Sequence, residues 1–288
     1  MSQQKKEIDQ DAFYIGWMPS APRYFARPVQ KIIIVLFAVM IIVASVLAFQ
    51  QKKFSTSNFE FGQLTEVKGI YRALPVPSLK VTTHKDVLGH ATLITMPLVG
   101  YGKFGAEGVM EELEKEKSIS LANKEIVIKG SLIYNDGKAL LQIDKNDNPL
   151  IQVNNGEQRL KSEINELGTV HLTGEILDPK CYFGVMKPGH GKAHRDCATR
   201  CIAGGISPVF RVRDETGAAR YYLILDSEGK KMNNELKDYI AEPVSLTARA
   251  VQYDDWIVLY TQKESIKRTG GLSWFKQHDK PISCGPLQ

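Results

Sequence analysis

Apolar and polar residues alternate in short runs along most of this chain, and one long run breaks the pattern. Ile32 to Phe49, IIIVLFAVMIIVASVLAF, is apolar and uncharged. A helix needs roughly 17–25 such residues to cross the hydrocarbon of a bilayer, so the run predicts a transmembrane helix over 32–49. It lies farther from the N-terminus than the core of a signal peptide. Gln50, Gln51, Lys52 and Lys53 follow it, not the small residues of a cleavage site. Lys5, Lys6, Arg23, Arg27 and Lys31 precede the run, against Lys52 and Lys53 just after it. By the positive-inside rule, a tail of residues 1–31 stays in the cytoplasm and the rest crosses. The expectation is a single-pass protein of a cell inner membrane, with its C-terminal part periplasmic or otherwise extracytoplasmic.

Beyond the run the period drops to two, as expected of half-buried strands. QLTEVKGIYRAL, PSLKVTT and HATLITMPLVG read as strands. GAEGVMEELEKEKSISL reads as a charged helix, and KEIVIKGSLIYNDGKALLQI as a hairpin turning at Asn135-Asp136-Gly137. The order then repeats. TVHLTGEIL is a strand. SPVFRVRD and RYYLILDS form a hairpin around Glu215-Thr216-Gly217. NNELKDYIA predicts a short helix with an Asn at its start, and PVSLTARAVQYDDWIVLYTQ a hairpin around Asp254-Asp255. Five strands with a helix between the third and fourth is the order of an OB-fold barrel. The predicted fold is mainly β: two tandem OB-like five-stranded barrels over 59–153 and 168–264, then a tail over 265–288. A continuous β-sandwich of similar strand number is the rival.

The two halves differ at one connection. In the first, strand one reaches strand two through RALPVP. In the second the same link is an insertion over 178–205, DPKCYFGVMKPGHGKAHRDCATRCIAGG. Loops longer than about 12–15 residues are usually functional or disordered, and Cys, Tyr, Phe, Val and Ile are the wrong composition for disorder. The insertion holds three of the four cysteines and two of the six histidines. It is expected as a structured protrusion of the second barrel. KAHRDCATRCIAGG predicts a helix of about three turns, ended by Gly204-Gly205. His194, Cys197 and Cys201 fall on one face of it at i, i+3 and i+7. Cys181 and His190 come from the irregular piece before it. Thiolate with imidazole suits copper, zinc or an iron–sulfur centre. A single site takes Cys181, Cys197, Cys201 and one of His190 or His194, with Met186 as a further soft donor. Cys197-x3-Cys201 resembles the copper-binding pair of dinuclear copper electron-transfer domains and of copper chaperones of oxidase assembly. That resemblance covers about five residues and ranks copper ahead of zinc. The C-x-x-C-H haem signature and the paired boxes of a Rieske centre are absent.

Two further readings of the loop stay open. In an oxidising compartment Cys181 pairs with Cys197 or Cys201, with Cys284 for the leftover thiol. Cys197 beside His194 is also a nucleophile–base pair. Composition adds little: the formal charge is +5, with both signs spread along the chain. There is no long basic run with interleaved aromatics, so nucleic acid is not an expected partner. GYGKFGAEG lacks the ending of a phosphate loop and reads as a tight approach to the barrel helix. No paired carboxylates, triad or phosphate loop points to an enzyme. The expected function is a metal-binding or redox accessory, acting in electron transfer or metal handling, with the bilayer and a membrane protein complex as partners. The alternative is a metal-free assembly module whose loop is a disulfide-pinned binding surface.

Overall fold

A computed structural model of the chain describes residues 23–51, 57–85, 91–157 and 163–269. The tail before Arg23, together with Lys52, Lys53 and Cys284, lies outside the described residues. The chain divides into two units, residues 1–55 and 56–288.

The first unit is α1 (Arg23–Gln51). Its candidate span is Phe25–Phe49, whose most apolar 18-residue window has a mean hydropathy of 3.3 and is not buried in protein. The helix starts earlier than the uncharged run. Arg27, Pro28 and Lys31 lie within it, because a helix entering a bilayer does not have to begin where the charges end. By length and composition this one apolar helix near the N-terminus suits a membrane span or a signal sequence.

The second unit is mainly β. Its first sheet takes β1 (Asn58–Phe59), β2 (Thr65–Arg72), β3 (Ser78–Lys85), β4 (Ala91–Gly100), β5 (Lys124–Asn135), β6 (Lys138–Ile143) and β7 (Leu150–Glu157). The helix α2 (Glu107–Lys117) lies between β4 and β5. Strand β2 pairs β3, β3 pairs β4, β4 pairs β6 in parallel, β6 pairs β5, and β5 returns to β2. This circuit is a closed five-stranded barrel, with β1 and β7 added along β5. The β5–β6 turn has positive φ at both Asp136 and Gly137, 52° and 73°. Those values match the twist of the flanking strands, which is why Asp-Gly turns there.

The second sheet takes β8 (Ile164–Leu177), β9 (Val209–Arg213), β10 (Ala219–Asp226), β11 (Pro243–Tyr253), β12 (Trp256–Thr261) and β13 (Lys267–Arg268). Strand β8 pairs β9, β9 pairs β10, β10 pairs β12 in parallel, β12 pairs β11, and β11 pairs β8. The short β13 adds to β11. The helix expected in NNELKDYIA shrinks to one 3-10 turn, Lys237–Tyr239. The Asn expected to open it is occupied elsewhere: the Asn233 side-chain amide donates to the carbonyls of Ile202 at 2.7 Å and Ile206 at 3.0 Å.

Three apolar clusters organise the unit. One fills the first barrel, with Met110 and Leu113 of α2 facing Leu79, Ile126 and Leu141. One belongs to the second sheet, where Ile176, Phe210, Tyr222 and Leu259 meet Ala198 and Ile202. The third lies between the sheets. Val76, Val99, Ile133 and Leu140 of the first meet Leu177, Val209, Leu223 and Trp256 of the second. Cys181, Tyr182, Phe183 and Cys201 belong to this third cluster. The insertion is therefore not a protrusion. Its apolar side chains would be left in water on a free-standing loop, so they are buried against the first barrel. Polar ties hold the same interface: Lys80 Nζ lies 2.7 Å from Asp254 Oδ1, and the Trp256 indole donates to the Thr95 carbonyl at 3.0 Å.

Candidate metal centre

The insertion folds from its two ends inward. At its start, the Asp178 carboxylate accepts from the Lys180 amide at 2.9 Å, and the Asp178 carbonyl accepts from the Tyr182 amide at 3.0 Å. The chain then makes a π-helical turn, Cys181–Val185, in a stretch whose Gly and Pro spacing predicts irregular backbone. Phe183 is fully buried there. The middle is pinned by a buried ion pair from the sheet. Arg211 of β9 donates to Glu175 of β8 at 2.6 Å, with both side chains almost wholly out of solvent. The other oxygen of Glu175 accepts from the Gly191 amide at 2.5 Å, and Arg211 also donates to the Tyr182 hydroxyl at 3.1 Å. Gly191 leads into a 3-10 turn, Lys192–His194, and then α3 (Arg195–Ala203). The glycine pair ends α3 as predicted: the amide of Gly205, at φ +104°, donates to the Ile202 carbonyl, and the Ile206 amide donates to that of Cys201.

This path brings three sulfurs together. The ligand atoms of Cys181, Cys197 and Cys201 lie within 4.8 Å of one another, with Cys181 and Cys201 buried and Cys197 half-buried. The Cys181 and Cys197 sulfurs are 3.9 Å apart. Among the described cysteines none is at bonding distance, so the disulfide expected from Cys181 to Cys197 or Cys201 is not formed. A Cys197–Cys201 bridge is disfavoured by the helix itself. Side chains one turn apart hold their Cβ atoms about 5–6 Å apart, and a disulfide needs roughly 3.5–4.5 Å.

A second trio shares one of these sulfurs. Asp178, Cys181 and His194, all buried, also hold their ligand atoms within 4.8 Å of one another. Asp178 Oδ2 and His194 Nε2 are buried without a hydrogen-bond partner. His194 thus groups with Asp178 and Cys181, not with all three sulfurs. Burial pulls His194 below the usual imidazole range, with Asp178 opposing and Lys103 assisting, so its ring is neutral and able to ligate near pH 7. A hydrogen bond to Cys201, then burial and the Asp178 carboxylate, push the Cys181 thiol far above its ordinary range. An ion binding there must displace its proton.

The first barrel supplies a cation. Lys103, in the turn after β4, puts its Nζ 3.0 Å from the Cys197 sulfur and 3.7 Å from that of Cys201. The hydrogen bond to Cys197 raises the Lys103 pKa despite some desolvation. The turn reaches this position because glycines meet: the Gly105 amide donates to the Gly204 carbonyl at 3.1 Å, and a Cβ on Gly204 would run into the Lys103 carbonyl. Lys180 braces the same turn, donating to the carbonyls of Gly100 at 2.8 Å and Gly102 at 2.7 Å. Burial lowers its pKa.

Of the six side chains proposed from sequence, Cys181, Cys197, Cys201 and His194 converge. His190 and Met186 belong to neither trio. The His190 ring lies beside Tyr182, 6.1 Å between centroids, and Met186 is exposed. Asp178 and Lys103 were missed. Asp178 stands at the end of a strand, where an Asp-Pro pair reads only as a turn. Lys103 sits in GYGKFG, whose glycines predicted a tight approach to the barrel helix, whereas the close contact they make is with Gly204 at the end of α3.

No protein-family model matches the chain, and no curated protein matches it. Among solved structures, a deletion mutant of the single-stranded DNA binding protein from Thermus aquaticus aligns with 75% of this chain and 89% of its own. The identity is 11% and the TM-score 0.19. A likeness at that score carries no argument about fold or function.

Proposed function

We propose that this chain is a membrane-anchored metal-binding protein, an accessory of a membrane redox complex in metal handling or electron transfer. Cys181, Cys197 and Cys201 are its metal-holding residues, and copper(I) is the favoured ion ahead of zinc. The observation that carries the reading is the sulfur trio. A metal–sulfur bond of about 2.3 Å puts two ligating sulfurs about 3.8 Å apart in a tetrahedron and about 4.0 Å apart in a trigonal plane. The 3.9 Å between Cys181 and Cys197 fits either. All-thiolate donation suits soft ions. Half-buried Cys197 leaves one ligand open to exchange, and Lys103 offsets the negative charge that the sulfurs gather. Both strand circuits read as OB-like barrels, with the parallel pairs β4–β6 and β10–β12 in equivalent places. Lys5, Lys6, Arg23, Arg27 and Lys31, ahead of the uncharged run, favour a cytoplasmic tail and an extracytoplasmic second unit. There, adjacent free thiols would tend to oxidise unless an ion held them.

The test is metal analysis of the full chain in detergent after loading with copper(I) or zinc. About one tightly held copper per chain is expected in the thiolate set, and Cys197→Ser or Cys201→Ser should abolish it. A wild-type protein that retains no metal would overturn the reading and leave a metal-free interaction module.

A further inference from the structure

We infer that the centre has a second pole: Asp178, His194 and the shared Cys181 hold a second, borderline divalent ion, so that Cys181 bridges two metals. The inference rests on the thiolate site proposed above and extends it. Two overlapping trios meet at one sulfur, and no single position is near all five donors: His194 groups with Asp178 and Cys181, away from the full sulfur set. The donor types also differ. Cys197 and Cys201 offer sulfur alone, whereas Asp178 and His194 offer oxygen and nitrogen, which suit zinc, cobalt(II) or another borderline ion.

The independent sign is hydrogen-bond accounting. Asp178 is 0% and His194 2% exposed. The Oδ2 of one and the Nε2 of the other are among ten buried side-chain atoms that lack a partner in the described residues, and these two belong to residues of one trio. Burying an acceptor without a partner costs about 1–3 kcal/mol. Two such atoms beside one thiol are the arrangement a cation resolves. The local backbone helps place both residues: Asp178 Oδ1 accepts from the Lys180 amide, and the His194 backbone amide closes the turn from Gly191, whose own amide Glu175 holds.

The experiment uses the full chain in detergent, filled with one equivalent of copper(I) and then titrated with cobalt(II). Visible cobalt bands should grow to about one further equivalent. X-ray absorption at the cobalt edge should show one sulfur scatterer with nitrogen and oxygen. His194→Gln and Asp178→Asn should keep the copper and weaken cobalt by more than the roughly 10–100-fold that losing an outer partner costs. Cys197→Ser should do the reverse. Absence of cobalt uptake after copper, an all-sulfur cobalt shell, or unchanged cobalt affinity in both folded variants would overturn the second pole. Cobalt bound through His194 with no copper retained would leave the second pole standing and sink the thiolate site. The scattering measurement on wild type decides even if a variant fails to fold.

Discussion

The link from first to second strand is made in two ways in this molecule. In the first barrel it is residues 73–77, a short link in which Leu74 is 77% exposed and only Val76 joins the apolar cluster between the sheets. In the second sheet it is residues 178–208, and there Phe183, Ile202 and Ile206 are fully buried. The strand pairings on either side are alike, so the scaffold does not account for the difference. The long link became part of the core because a surface was available to receive it: the first barrel offers Val99, Ile133 and Leu140 to its apolar face. Its cysteines are therefore held by packing from two sheets and not by loop stiffness alone. Side chains held this way are fixed in place before any ligand arrives.

Breaking that packing should produce the largest effects. Phe183→Ala should destabilise the protein by about 3–5 kcal/mol, while Leu74→Ala in the short link should stay within about 0.5 kcal/mol. Chemical denaturation of both variants checks the contrast; equal, small effects would mean that the long link is not part of the cooperative fold. Arg211→Met should also cost about 3–5 kcal/mol, since it strands the buried Glu175 carboxylate. Because Glu175 also holds Gly191, this variant should loosen His194 and lower metal retention, which Phe183→Ala at matched stability would do less.

Much of this contrast was legible in the sequence, but only its local part. The apolar helix, the strand order, the Asp136-Gly137 turn and the glycine end of α3 all follow from spacing and backbone preference, which act over a few residues. The sulfur trio was legible because Cys197 and Cys201 share a helix face. The place of His194 was not. Spacing put His194 on that same face, whereas it sits at the junction where a 3-10 turn becomes α3, and turns toward Asp178. His190 stands beside Tyr182, outside both trios, and Met186 is exposed. Lys103 comes from a different sheet, and no local pattern says that a turn after β4 will dock on the end of α3. The disulfide from Cys181 to Cys197 or Cys201 was a statistical expectation about compartment, and nothing in the local spacing spoke against it.

The glycine contact sharpens the comparison at intermediate scale. Gly204→Ala pushes a methyl group into the Lys103 carbonyl, so one backbone must move. Overpacking of this kind costs about 1–3 kcal/mol, and the shift should carry the Lys103 ammonium away from Cys197 and weaken copper binding. Gly108→Ala is the control. It lies in α2 with open space around its Cβ position, so stability should be unchanged or higher by up to about 1 kcal/mol. Equal melting temperatures for the two variants would show that the turn and α3 do not meet as described.

The smallest expected effect is a pH dependence confined to the long link. Burial first, then the charges of Arg211, Arg213 and His194, lower the His190 pKa from 6.5 to about 4. The Tyr182 ring lies on the same side. In the unfolded chain His190 titrates near 6.5. Above that pH both states are neutral at this residue and its contribution to stability is complete. As pH falls from 6.5 toward 4 the unfolded state takes up a proton that the fold refuses, and stability is lost across that window. Partial exposure limits the loss to on the order of 1 kcal/mol. With metal removed by a chelator, urea midpoints should fall more steeply between pH 6.5 and 4 in wild type than in His190→Gln. The short link has no such group, so parallel slopes in the two proteins would mean that His190 is solvated and the long link more open than its packing indicates.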